Sequence, residues 1–296
     1  MTERSEVGSR KSDAGEFAAA ILASRRETAP PASLPVMLVG DAGHGEFRSA
    51  IEMLERYCEL TIARDLATAL DELRRAASAA SLMVIAQTRP GEHSAAQLDA
   101  LRRAAPLAPF VNLLGSLCEG ESRSGSPWPG AARVYWHQWR QRALPELAAL
   151  RAGRTSSWSL PATASDEERL LCSASEPFAR RQGLVAIASE NFEMADWLAG
   201  ACREQGFAVV RTSVSLAVKT SGVAAVLWDS GLAGEANASD LTALQGVFPG
   251  ARVIALLDFP RIEHYERLLA AGAAAVLSKP VMLAELFGQL EEAASY

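Results

Sequence analysis

Short apolar runs recur along this chain, and the stretches between them carry apolar residues three or four positions apart. Pro35-Val-Met-Leu-Val39 is the first run and ends at Gly40-Asp41. Over Phe47 to Tyr57 the spacing turns helical, with Ile51, Leu54 and Tyr57 on one face. Runs at 60–62, 82–85, 110–114 and 133–136 predict four more strands, and helical spacings at 66–77, 98–104 and 144–150 predict the helices that go with them. The order then repeats. Strands are predicted at 184–187, 208–211, 223–228, 252–256 and 274–277, and helices at 194–205, 215–220, 240–247, 262–271 and 282–293. Strands with few polar positions that alternate with amphipathic helices imply parallel sheets covered on both faces.

The pattern divides the chain into four parts. Residues 1–33 read as a disordered tail, in which a short helix over Phe17–Ser24 is stopped by Pro30-Pro31. Residues 34–150 and 183–296 are two α/β units in tandem, each expected to hold a five-stranded parallel sheet, and the family resemblance described below implies a doubly wound, flavodoxin-like arrangement for each. Residues 151–182 are rich in Ser, Ala, Arg and Glu, lack an apolar period and read as a linker.

Composition narrows the function. The chain of 296 residues is 49% hydrophobic and 22% charged, as in an ordinary globular protein. A net charge of −6 argues against sequence-independent nucleic-acid binding. No apolar run approaches the roughly 20 residues that span a bilayer, and Met1-Thr-Glu-Arg-Ser-Glu lacks the apolar core of a signal peptide. Cys58, Cys118, Cys172 and Cys202 are scattered without a CxxC, so reduced thiols and a cytoplasmic setting are expected.

The strongest chemical signal is a pair of residues in the second unit. Asp229 ends the run Val223-Ala-Ala-Val-Leu-Trp228, and Lys279 ends Ala273-Ala-Ala-Val-Leu-Ser278 and precedes Pro280. Carboxyl ends of parallel strands share one rim, where ligand sites form. A carboxylate and a lysine on that rim point to a phosphoryl or metal site.

On these residues the second unit resembles the response-regulator receiver family, CheY-like in fold. Ala271-Gly-Ala-Ala-Ala-Val-Leu-Ser-Lys-Pro280 is similar to the receiver's final strand and Lys-Pro turn, and Val226-Leu-Trp-Asp229 to its phospho-acceptor strand. Ser189-Glu190 stands where receivers carry an acidic pair, so one carboxylate is lost. Leu257 falls where receivers carry Thr or Ser, and Val276 where they carry the switch aromatic. The resemblance implies Asp229 as phospho-acceptor, Lys279 as its cationic partner, and Mg2+ held by Glu190 and Asp229. With Leu257 in place of a hydroxyl, phosphorylation would be weakly coupled to conformation. Asp258 is read as added charge near the rim.

The first unit resembles a more degenerate receiver, a pseudo-receiver. Gly40-Asp41 keeps one acidic position, but the acceptor position is Ala86, and His137 falls near the lysine position. His44 does not fit the Asp-x-His-x-x-Gly loop of cobalamin proteins and reads as an exposed loop residue. The Gly/Ser/Pro-rich segment 114–139 stands where receivers have their fourth helix. It gathers Trp128, Trp136 and Trp139 with Arg123, Arg133, Tyr135 and His137, which are the candidates for a partner surface. The alternatives are an aromatic mini-core pinned by Arg–Glu pairs, or a metal or small-ligand site using Cys118, Glu121 and His137.

The functional expectation is a non-enzymatic signal-transduction adaptor of a two-component system or phosphorelay. No effector motif is visible, so its output would be protein–protein contact. A histidine kinase or phosphotransfer protein would supply the phosphoryl group. The helix over 262–271 and the last strand form the face by which receivers pair, which allows a homodimer. The competing reading is a phosphorylation-independent scaffold; an enzyme or ligand binder built on 114–139 ranks last, because no Gly-rich phosphate loop is present.

Overall fold

The computed structural model describes residues 34–75, 80–121, 125–173, 183–232 and 236–294. In the first unit, β1 (Pro35–Val39), β2 (Glu59–Ala63), β3 (Leu82–Gln87), β4 (Phe110–Leu114) and β5 (Ala132–Tyr135) alternate with α1 (Arg48–Tyr57), α2 (Leu66–Arg75), α3 (Ala95–Ala104) and α4 (Trp139–Arg151). A further helix, α5 (Asp166–Ser173), follows. In the second unit, β6 (Leu184–Ser189), β7 (Ala208–Thr212), β8 (Val223–Leu232), β9 (Arg252–Asp258) and β10 (Ala275–Lys279) alternate with α6 (Phe192–Glu204), α7 (Ala238–Val247), α8 (Ile262–Ala270) and α9 (Leu283–Ala294).

Each unit forms one five-stranded sheet, in the orders β2-β1-β3-β4-β5 and β10-β9-β8-β6-β7, and every pairing is parallel. Both orders are the doubly wound, flavodoxin-like arrangement that the resemblance implies. The central strands are buried on both faces: every residue of β3 and β4 is buried. Helices cover each face, so each sheet lies between two apolar clusters.

Three local features depart from expectation. The helix predicted over 215–220 does not form. Ser213 accepts the Leu216 N–H in its side chain, a local bond that competes with a helical turn, and Leu216 and Val218 are both 75% exposed, so no packed face supports a helix. Second, β8 continues past Asp229 to Leu232, with a register shift between Asp229 and Gly231 against β9. Such a bulge re-aims the strand at the sheet rim.

Third, residues 152–173 are not a structureless connection. Trp158 is 2% exposed and joins the core of the first unit beside Trp139. The buried Glu146 carboxylate holds the segment down, accepting the Ser157 N–H at 2.8 Å and the hydroxyls of Ser156 and Ser157. Arg169, also buried, donates to the carbonyls of Ser157 and Pro161. Apolar periodicity misses such a segment because one tryptophan and one carboxylate do the anchoring.

The two sheets belong to one compact body. The α8–β10–α9 side of the second unit packs on α4 and the short turn Trp136–Gln138 of the first. Ile262 and Tyr265 of α8 pack against the core of the first unit, and Tyr265 meets the Trp136 ring at 5.2 Å. Arg48 and Glu266 pair at 3.8 Å at the margin. A cavity of about 480 Å³ remains in this junction.

Candidate functional site

Register decides which side chains meet at the rim of the second sheet. Lys279 at the end of β10 is aligned with Asp258 at the end of β9, and Ser189 at the end of β6 with Asp229 of β8. Lys279 Nζ donates to Asp229 Oδ1 at 2.6 Å and lies 3.1 Å from Asp258 Oδ1. The Ser189 hydroxyl donates to Asp229 Oδ2 at 2.6 Å and accepts the Asn191 N–H at 3.0 Å. The Asp229 and Lys279 side chains are only 6% and 10% exposed. Buried charges of this kind persist only when paired and hydrogen-bonded, and here both oxygens of Asp229 have a donor. The Lys279–Pro280 peptide is cis.

The sequence reading put Leu257 at the position where receivers carry a hydroxyl. In the fold Leu257 is fully buried in the apolar cluster on the α7–α8 side and is aligned with Ser278. The residue beside Lys279 is Asp258. The rim therefore carries a second carboxylate, the charge that the sequence placed near it, in direct contact with Lys279.

Glu190, the other expected metal ligand, is exposed in the turn before α6. Among the described residues no three His, Cys, Asp or Glu side chains come together to hold a metal ion. Magnesium seeks near-octahedral oxygen donors, whereas both Asp229 oxygens are engaged by an ammonium and a hydroxyl. A divalent cation at Asp229 would have to displace one of these two bonds.

The rim of the first unit is closed. Gly40 has φ 125°, and a Cβ there would lie 2.6 Å from the Ala86 carbonyl oxygen. Ala86 is 1% exposed, and its carbonyl is 3.1 Å from His93 Nε2. Asp41 is exposed and accepts the Gly43 N–H at 2.9 Å, a turn-stabilising bond. His44 sits on the same turn, with its ring 5.2 Å from Phe47.

The candidates of the 114–139 segment divide between the two faces of the first sheet. Trp128 packs on Phe110, lies under the Arg102 guanidinium at 3.9 Å and donates Nε1–H to Asp99. Trp136 and Trp139 are buried on the opposite face. Arg133 and Glu121 form a buried pair at 2.9 Å, and Gln87 also donates to Glu121. His137 stacks on Tyr135 and places Nε2 3.3 Å from Glu119. Burial, with the Glu121 charge adding to it, pushes the Cys118 thiol up to about 12, so it is inert. Arg123 lies outside the described residues. These contacts are inward. They describe a pinned loop more than a free partner surface.

No protein-family model matches the chain, and no curated protein matches it. Solved structures do. A response regulator receiver domain protein from Clostridium thermocellum is 15% identical over 38% of this chain and 94% of its own, with a TM-score of 0.33. A response regulator from Burkholderia pseudomallei, with a phosphorylated aspartic acid, a calcium ion and citrate, is 22% identical over 39% and 69%, with a TM-score of 0.33. A pilus assembly protein from Sinorhizobium meliloti is 17% identical over 37% and 98%, with a TM-score of 0.31. Each of these structures spans less than two fifths of this chain, and both sheets of the chain have the doubly wound, flavodoxin-like strand order. At these identities the likeness concerns the fold alone, which the two strand orders establish independently. Among the described residues no helix is long and apolar enough to cross a membrane.

Proposed function

We propose that this chain is a signalling adaptor that works by protein contact, with the Asp229 rim serving as a fixed ion cluster. One observation carries this reading: Lys279 lies between Asp229 and Asp258, at 2.6 and 3.1 Å. An arriving phosphoryl group would add about −1.5 to −2 charges beside a second carboxylate, with one lysine to offset both. Ser189 closes the remaining oxygen of Asp229. The first unit, with Ala86 at the acceptor position, has no carboxylate there to modify.

The cover over the α8–β10–α9 side supports an adaptor that does not pair with itself through that side, because Trp136 and its neighbours already occupy it. The free state of Cys58, Cys118, Cys172 and Cys202 supports a reducing, cytoplasmic setting. No step in this reading requires an enzymatic activity.

A second reading is favoured by the Asp229–Lys279 contact itself, since a rim carboxylate paired with lysine is the arrangement a phosphoryl acceptor needs. In it a histidine kinase or phosphotransfer protein loads Asp229. One experiment separates the two: titration of the full chain with beryllofluoride and Mg2+, followed by fluorine NMR, beside Asp229→Asn. The adaptor reading expects no saturable signal. A saturable signal that disappears in Asp229→Asn would replace it with the phospho-acceptor reading and would bring Glu190 back as a ligand.

A further inference from the structure

The seam between the two units holds a cavity of about 480 Å³, away from the Asp229 rim. Both units supply its walls: Glu46, Glu52 and Trp136 from the first, and Ile262, Tyr265 and Leu269 of α8 from the second. Small-molecule sites span roughly 300–1,000 Å³, favour such junctions, and combine apolar and aromatic walls with a few placed polar groups. Trp136 and Tyr265 supply the aromatic part, edge to face at 5.2 Å.

Glu46 is the placed polar group. It is 5% exposed. Among the described residues its carboxylate accepts one hydrogen bond, from the Ser116 N–H to Oε2 at 2.9 Å. The basic nitrogen nearest to it is His44 Nδ1, at 3.9 Å from the same oxygen and beyond hydrogen-bond reach. A buried carboxylate is ordinarily matched by a cation or by donors to both oxygens, and Glu46 has neither. A second cavity of about 290 Å³ shares Gly45, Glu46 and Ile262 with the first, so the carboxylate stands between the two.

The surrounding charges favour a cation. Glu46, Glu52 and Glu266 line the larger cavity against Arg48 and Arg140, which leaves one net negative charge. Arg48 faces Glu266 at 3.8 Å. In the smaller cavity Arg261 is offset by Glu263. The faces of Trp136 and Tyr265 add to the attraction for a positive group.

We propose that the seam cavity binds a small organic amine, protonated at neutral pH, whose ammonium donates to Glu46 and whose apolar body lies against Trp136, Tyr265 and Leu269. The ligand touches both units at once. The site uses nothing from the Asp229 rim and holds whether or not that residue accepts phosphate.

The test is calorimetric titration of the full chain at neutral pH with phenethylamine and with phenethyl alcohol, its neutral counterpart of similar size. The amine should bind saturably at one site, about tenfold or more tighter than the alcohol, as a charge-assisted hydrogen bond to a buried carboxylate requires. Glu46→Gln keeps an oxygen for the Ser116 N–H and removes the charge, so it should erase the preference for the amine while the alcohol binds as before. Leu269→Trp, at a position 41% exposed on the cavity wall, should fill the space and abolish binding of both. Absence of saturable amine binding overturns the proposal, and so does equal affinity for amine and alcohol. It is also overturned if Glu46→Gln retains the preference, or if Leu269→Trp binds the amine like the unaltered protein, which would place the amine elsewhere on the surface.

Discussion

Replacing Glu285 by glutamine should make this protein more stable at neutral pH. Glu285 lies in the first turn of α9, 1% exposed, and its Oε1 has no hydrogen-bond partner. It faces the junction between the units, where Arg142 of α4 and Tyr265 of α8 are its charged and titratable neighbours. Burial pushes its pKa from 4.5 up to about 7, with the Arg142 guanidinium pulling the other way. A carboxylate stripped of water and incompletely hydrogen-bonded favours its neutral form. The folded pKa is raised, so folded and unfolded chains are both protonated below about pH 4.5, and there the group exacts no penalty. Between about pH 4.5 and 7 the unfolded chain ionises while the folded one keeps its proton, and stability falls. Above about pH 7 the loss levels off at about 3 kcal/mol, from the size of the shift.

Glu285→Gln is close in volume and cannot ionise. It should match the unaltered protein near pH 4.5 and exceed it by about 2 kcal/mol at pH 8, somewhat less than the full linkage because the new amide also needs partners. Urea unfolding at a series of pH values, followed by tryptophan fluorescence and by circular dichroism, measures this. The difference between the two midpoints should open as pH rises from 5 to about 7 and then stay constant. Two curves that run parallel across the whole range would refute the reasoning, because the Glu285 carboxyl would then titrate alike in folded and unfolded chains.

Other substitutions probe the remaining features. Lys279→Met leaves Asp229 buried without its cation and should cost about 3–5 kcal/mol by urea unfolding, whereas Lys279→Met with Asp229→Asn should recover part of that loss. Trp158→Ala should cost about 3–5 kcal/mol, and limited proteolysis should then cut within 152–165 while leaving the second unit intact. Gly40→Ala forces a Cβ to within 2.6 Å of the Ala86 carbonyl oxygen at φ 125°, and should cost about 2 kcal/mol or more in thermal unfolding.

The two sheets were legible in the sequence because alternating strands and helices carry different apolar periods, and those periods survive without any contact information. Asp229 and Lys279 were legible because each ends an apolar run, which puts both on one rim of a parallel sheet. Asp258 was legible as a charge near the rim but not as the neighbour of Lys279, and the reason is physical. The run Val253-Ile-Ala-Leu-Leu257 is buried on both faces, so no polar alternation marks which residue at its end turns toward the rim and which toward the core. A shift of one residue exchanges Leu257 for Asp258, and with it an apolar gap for a charge. Only the pairing of β9 with β10 fixes that register. Glu285 and Trp158 were hidden for a related reason. Each is set by a surface far away in the chain, α4 for the one and the first sheet for the other, and local periodicity has no means of registering a partner more than a hundred residues away, or one reached by folding back. A carboxylate at the rim changes what the site can do. With Asp258 in place, Lys279 is shared before any ligand arrives, so the chemistry of this rim is decided by competition for a single ammonium.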